Sequence, residues 1–249
     1  MLAIPVGVAS VAAATFPFYA TARIGRGRDP GAPMRMRLSL DLAEEADKAR
    51  AAGNYAEADR GYKKALAWAR GSPDLHFRLV AMYVEQGRKE EALRVLGSFL
   101  NLSGPHRVSS HTIKALAVVV ALAEDVDRPD LVEEALQHVD RYVVGIPYAE
   151  ISQPPVSATE RLALAHLVLA DRLSSGKPER AHEHLLGAKR LDPDLAIAWF
   201  LDWEVLGNLG RRQEAEASLA RAGRLAPAGS SLAHRIAKLV GPQGPVADP

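Results

Sequence analysis

The chain of 249 residues repeats itself at an interval of 34, and a period of that length narrows the possible folds more than any other feature. Gly53, Ala58 and Leu66 recur as Gly87, Ala92 and Leu100. Further on, Gly176, Ala181, Leu185, Ala188, Leu191 and Pro193 recur as Gly210, Ala215, Leu219, Ala222, Leu225 and Pro227. The two pairs share one internal spacing, Gly53/Ala58/Ala65, Gly176/Ala181/Ala188 and Gly210/Ala215/Ala222, with Gly87/Ala92/Phe99 as a variant. Each unit reads as two helices joined at the glycine, where positive φ costs glycine little. The first alanine lets the two helices approach closely. Tyr62, Leu96, Leu185 and Leu219 lie one turn later on the same face and fill the space between them. Pro193 and Pro227 end the second helix. One such pair cannot bury its apolar stripe alone, so neighbouring pairs must stack.

The segment GNYAEADRGYKKAL at 53–66 and the junction AKRLDPDLAIAW at 188–199 resemble the tetratricopeptide repeat, a 34-residue unit of two antiparallel helices, A and B. The resemblance covers about residues 39–239. It implies an all-α solenoid in which the A helices line a concave groove that receives a peptide or a partner helix.

The pattern predicts helices near 39–52, 55–69, 73–86, 89–102, 108–124, 129–143, 158–175, 178–191, 194–209 and 212–225, with a cap helix over 229–239. The third pair is degenerate. No glycine marks its turn, Pro129 is expected to open its second helix, and residues 101–107 hold an insertion. Residues 144–157, with Pro147, Pro154 and Pro155, read as a loop, and 240–249 as a disordered tail.

Residues 2–22 carry no charged side chain, and a helix of that length spans about 30 Å, the thickness of a hydrocarbon core. Phe16, Phe18 and Tyr19 precede Arg23, Arg26 and Arg28, the order of an aromatic belt followed by cytoplasmic charge. Residues 1–22 are therefore expected to form a single membrane anchor, with the repeats on the cytoplasmic side. Ala20-Thr21-Ala22 leaves a second reading open, a cleaved export signal releasing a soluble periplasmic adaptor. Residues 23–38 read as a basic linker broken by Gly25, Gly27, Pro30, Gly31 and Pro33. The formal net charge of +1 is a cancellation. Residues 1–38 hold five arginines against one aspartate, and the rest of the chain is acidic.

Signals for chemistry are sparse. The chain has no cysteine, which excludes thiolate metal sites and cysteine nucleophiles. It lacks the phosphate-loop, nucleophile-elbow and HExxH patterns. His182 and His184 lie two apart on a helix, about 200° from one another, and so cannot share one ion. His106 and His111 read as ordinary residues beside the insertion. No catalytic residue, metal or cofactor is expected, and an enzyme subunit is the least favoured reading. Near-zero net charge and 6% aromatics give no drive toward nucleic acid.

Protein binding remains. Phasing on the glycines places Asp47, Arg50, Asp74, Phe77, Arg78, His166, Phe200 and Glu204 on the groove. The Lys/Asn clamp by which some relatives of this fold hold a terminal carboxylate is not evident, because Ala43 and Asp47 stand at its first positions. Trp199 and Trp203 share one face and are expected in the core. The expected function is a membrane-anchored scaffold that assembles or holds a bacterial membrane complex. If so, the intact chain sediments with membranes at high salt and is released by detergent. A mature chain that begins at Arg23 by mass spectrometry identifies the exported adaptor instead.

Overall fold

A computed structural model describes residues 31–102, 108–150 and 154–241. The membrane anchor, most of the linker, the centre of the first insertion with His106, and nearly all of the expected tail lie outside these residues. Among the described residues, no helix is long and apolar enough to cross a membrane.

Every regular element described is a helix. The order is α1 (Ala32–Ala51), α2 (Tyr55–Trp68), α3 (Pro73–Glu85), α4 (Lys89–Leu102), α5 (Ser110–Ala123), α6 (Pro129–Ala135), α7 (Asp140–Val143), α8 (Ala158–Leu173), α9 (Pro178–Leu191), α10 (Ala196–Asn208), α11 (Arg212–Leu225) and α12 (Ser231–Val240). The helices stack in sequence as a tetratricopeptide-like solenoid, with α1/α2, α3/α4, α8/α9 and α10/α11 as its closely packed pairs. α12 closes the end against α11, its N-terminus capped by Ser230, whose hydroxyl accepts the Ala233 N–H at 3.1 Å.

The repeat pattern sets the packing. Ala58, Ala92 and Ala181 are fully buried and Ala215 nearly so. Tyr62, Leu96 and Leu185 one turn later are fully buried too, while Leu219 is only half-buried on α11, whose neighbour beyond α10 is the short α12. At Gly53, Gly87 and Gly210 the backbone is left-handed, with φ of 76°, 71° and 75°. The residue after each glycine donates its N–H back to the first helix, Asn54 to Ala49, Arg88 to Tyr83 and Arg211 to Leu206, at 2.8–2.9 Å. Gly176 departs from the expected geometry. The turn after α8 stays right-handed, and Lys177 donates to Leu173 at 2.7 Å in an ordinary helical step.

Two further expectations need correction. The linker does not extend to residue 38, because α1 begins at Ala32. Pro33 sits in its first turn, where a missing N–H costs nothing, so the proline starts the helix rather than blocking it. The expected single helix over 129–143 is two short helices with i+3 bonds between them, Val139 to Leu136 and Tyr142 to Val139. Its apolar stripe nevertheless runs through the break, with Leu131, Val132, Ala135, Leu136, Val139, Tyr142 and Val143 all buried. The Tyr142 hydroxyl anchors it by donating to the Leu100 carbonyl at 2.9 Å.

The third unit is also splayed. α6 packs mainly on α4, and α5 mainly on α8, rather than on each other. Gly97 on α4 is what admits α6, since a Cβ there would stand 2.9 Å from the Ala135 Cα. Backbone cannot retreat as a side-chain tip can. Gly97→Ala should therefore destabilise the protein by about 1–3 kcal/mol in urea unfolding. Gly207→Ala, in a helix position with open space around it, should stabilise by about 0.5–1 kcal/mol. Equal effects would refute this assignment of the close contact.

Candidate functional site

The groove residues expected from α1 and α3 do come together. Arg78 lies between two carboxylates, donating Nε–H to Asp74 at 2.8 Å and Nη1–H to Asp47. The Tyr62 hydroxyl of α2 also donates to Asp47. Burial pushes this phenol up to about 12, and the Asp47 carboxylate adds to the effect. Arg50 forms a fork with Glu85 of α3, with Nε–H donating at 2.8 Å, and this hydrogen bonding raises the guanidinium further. The ion pairs thus link first helix to first helix across the repeat boundary. Their side chains are between about a quarter and a half exposed, where each pair contributes no more than about 1 kcal/mol.

Phe77 continues this face. Its ring packs on Phe99 of α4 at 5.8 Å and lies 6.4 Å from His111 of α5. The Lys114 ammonium sits 4.5 Å over the Phe77 ring, a cation–π contact. Lys114 is exposed and has no carboxylate partner among the described residues. The sequence reading missed His111 and Lys114 as surface partners. Their i, i+3 spacing in the first turns of a helix that is apolar from Ala115 onward was the available signal.

His166 and Phe200 are not on an open groove. α8 is buried over every residue from Ala163 to Ala170, so a one-face phasing does not apply to it. His166 packs its ring over Gly187 of α9, where a Cβ would fall 2.5 Å from the imidazole. Its Nδ1 meets His184 Nδ1 at 3.1 Å, so one ring carries the shared proton. Phe200 is covered by Tyr148 from the segment read as a loop. Glu204 remains exposed on α10, with Arg235 and Asp171 as charged neighbours.

One buried polar cluster escaped the sequence reading. Asp202 of α10 is fully buried. Lys189 donates to it at 2.5 Å, the Ser218 hydroxyl at 3.1 Å, and His182 through Nδ1 at 2.6 Å. The Lys189 ammonium also lies 4.3 Å over the Trp199 ring, and the Trp199 indole donates to the Pro193 carbonyl at 2.8 Å. This arrangement binds α9, α10 and α11 to one carboxylate. It holds no nucleophile against a base, since Ser218 and His182 both donate to Asp202 and not to each other. His182 and His184 face different helices. Asp202 had a signal in retrospect, as the one acid in the apolar run AIAWFLDW.

The histidine pair makes stability depend on pH. Burial pushes His166 down to about 4, with His184 and Arg190 adding repulsion, and burial lowers His184 as well. Between an ordinary histidine value near 6.5 and about 4, the unfolded chain binds a proton that the folded chain refuses. Stability is therefore full above about 6.5 and falls as pH drops toward 4, by about 3 kcal/mol for His166 alone. His166→Leu should flatten the loss of unfolding free energy between pH 7.5 and 4.5. An unchanged slope would remove His166 as the cause.

Residues 49–100 match the tetratricopeptide repeat family. This segment holds α2, α3 and α4 with the end of α1. No curated protein matches the chain. Solved structures that align with it include MamA, 18% identical over 78% of this chain and 92% of that one, with a TM-score of 0.34. Another is YrrB, described as a tetratricopeptide protein with an unusual peptide-binding site, 18% identical over 80% and 92% at a TM-score of 0.31. PilF of Pseudomonas aeruginosa is 16% identical over 83% and 86%, with a TM-score of 0.33.

Proposed function

We propose that the chain is a non-catalytic scaffold that binds a segment of a partner protein on the face formed by α1, α3 and α5. The carrying observation is that Asp74, Phe77 and Arg78, inside the segment 49–100 that matches the tetratricopeptide family, join Asp47 of α1 and Lys114 of α5 in one row at least partly open to solvent. Mixed charge around one aromatic suits an amphipathic peptide or helix better than a highly charged ligand. Lys114 offers a positive charge not already neutralised among the described residues, so a carboxylate beside an apolar side chain is the complementary pairing. The uncharged stretch 2–22 with the arginines behind it supports tethering of this scaffold to a membrane, where it would hold or assemble a complex. The export reading rests on Ala20-Thr21-Ala22 alone.

Lys114→Glu inverts the charge at an exposed site and should change stability by no more than about 0.5 kcal/mol. A tagged full-length chain, purified from detergent-solubilised native membranes, should retain a specific partner. Lys114→Glu should reduce its recovery at least tenfold with the circular dichroism unchanged. Equal recovery by the wild type and the variant would overturn this face as the binding surface.

A further inference from the structure

Tyr148 is the only non-glycine residue with positive φ among the described residues, at 63°. A bulky residue rarely adopts that conformation without something that holds it there. Three contacts hold this one. Its ring stands edge-on to Phe200 of α10, centroids 5.8 Å apart at 77°, and Phe200 packs in turn on Trp203, tilted at 43° with centroids 5.3 Å apart. The Arg235 guanidinium of α12 lies 5.6 Å from the Tyr148 ring centre. Two residues further, the Glu150 carboxylate accepts the Ser231 N–H at 2.9 Å, at the N-terminus of α12 where the helix dipole favours an anion.

The seat is imperfectly filled. A cavity of about 170 Å³ adjoins the segment, lined by Tyr148 and Glu150 with Asp192, Asp194, Ile197 and Leu232 among others. Arg235 Nε is buried and has no hydrogen-bond partner among the described residues. The strained Tyr148 borders both the unfilled space and the unmet donor, where a short stretch of chain lies across α10 and the cap helix α12. The stretch behaves as a bound peptide would. It supplies an aromatic anchor, and two positions later a carboxylate.

We propose that this seat on α10 and α12 is a peptide-binding site which the chain occupies with its own residues 144–150. Its external ligand is a partner segment with an aromatic residue followed two positions later by a carboxylate. Such a segment, free of the covalent tether, relaxes the left-handed tyrosine and brings a backbone acceptor to Arg235. The inference rests on the reading that this solenoid binds partner segments, but at a surface separate from Phe77 and Lys114.

The test uses the full-length chain and a fluorescein-labelled synthetic peptide of sequence VGIPYAE, matching residues 144–150. The double variant Tyr148→Gly/Glu150→Gln releases the internal segment, and glycine accepts the φ of residue 148 without strain. Anisotropy should show the peptide binding this variant at least tenfold more tightly than it binds the wild type. Peptides with alanine for the tyrosine, or glutamine for the glutamate, should each lose at least tenfold. Glu150→Gln alone, which leaves the aromatic contacts intact, should give an intermediate gain and decides the matter if the double variant is unfolded by circular dichroism. No binding to the opened seat, equal binding to wild type and variant, or indifference to the peptide changes would each overturn the proposal. Those results would leave partner recovery through Lys114 untouched, so the two readings fail separately.

Discussion

Everything in this solenoid depends on how closely two helices can approach, and that distance is set by side chains that are nearly absent. Ala58, Ala92, Ala181 and Ala215 sit at the crossings within the pairs. Gly61 against Ala46, Gly97 against Ala135 and Gly187 against His166 let second helices close onto their neighbours. A methyl or a hydrogen at each crossing brings the larger residues beside it, Tyr62, Leu96 and Leu185, into full burial. The left-handed glycines serve the same end, because each reverses the chain within a few residues and keeps the pair tight. A single pair would leave its outer stripe in water, so the stacking of pairs follows from the same constraint.

Charge is used in two different ways on this framework. The pairs of Asp47, Arg78, Asp74, Arg50 and Glu85 remain in contact with water, contribute little to stability, and leave a patterned surface. Asp202 is the opposite case, a carboxylate with no access to water, satisfied by Lys189, His182 and Ser218 from two flanking helices. Removing one partner of such a group strands a buried charge, which is far more costly than losing a surface pair. The cluster therefore fixes the register of α9, α10 and α11. The outer row is the part free to be remodelled for recognition.

Much of the fold was legible because the repeat is a backbone pattern. Gly, Ala and Pro positions encode turns, crossings and helix ends, and apart from the right-handed turn at Gly176 these recur where sequence reasoning located them. Errors appeared where local rules met tertiary context. Pro33 reads as a breaker unless one knows that a helix begins there. The stripe from Leu131 to Val143 is periodic, but no local signal reports that its backbone tightens at Leu136–Val139. The placement of the expected residues was legible on α1 and α3, where Asp47, Arg50, Asp74 and Arg78 meet on a face at least partly open to solvent. It failed at His166, where α8 is enclosed on all sides, and at Phe200, where the cover comes from residues more than forty positions earlier in the chain. Long-range cover of that kind leaves no trace in a periodicity.

The splayed third unit has a consequence for how such a chain can change over evolutionary time. An array of like hairpins can gain or lose one member, because each unit meets its neighbours through the same surfaces. Here α6 packs mainly on α4 and α5 mainly on α8, so the third unit joins the two regular blocks while its own helices meet little. Deleting or duplicating a unit at this point would leave both α4 and α8 facing a surface shaped for something else. The splayed unit thus works as a count-keeper, holding the array at its present length while its outer faces stay free to vary.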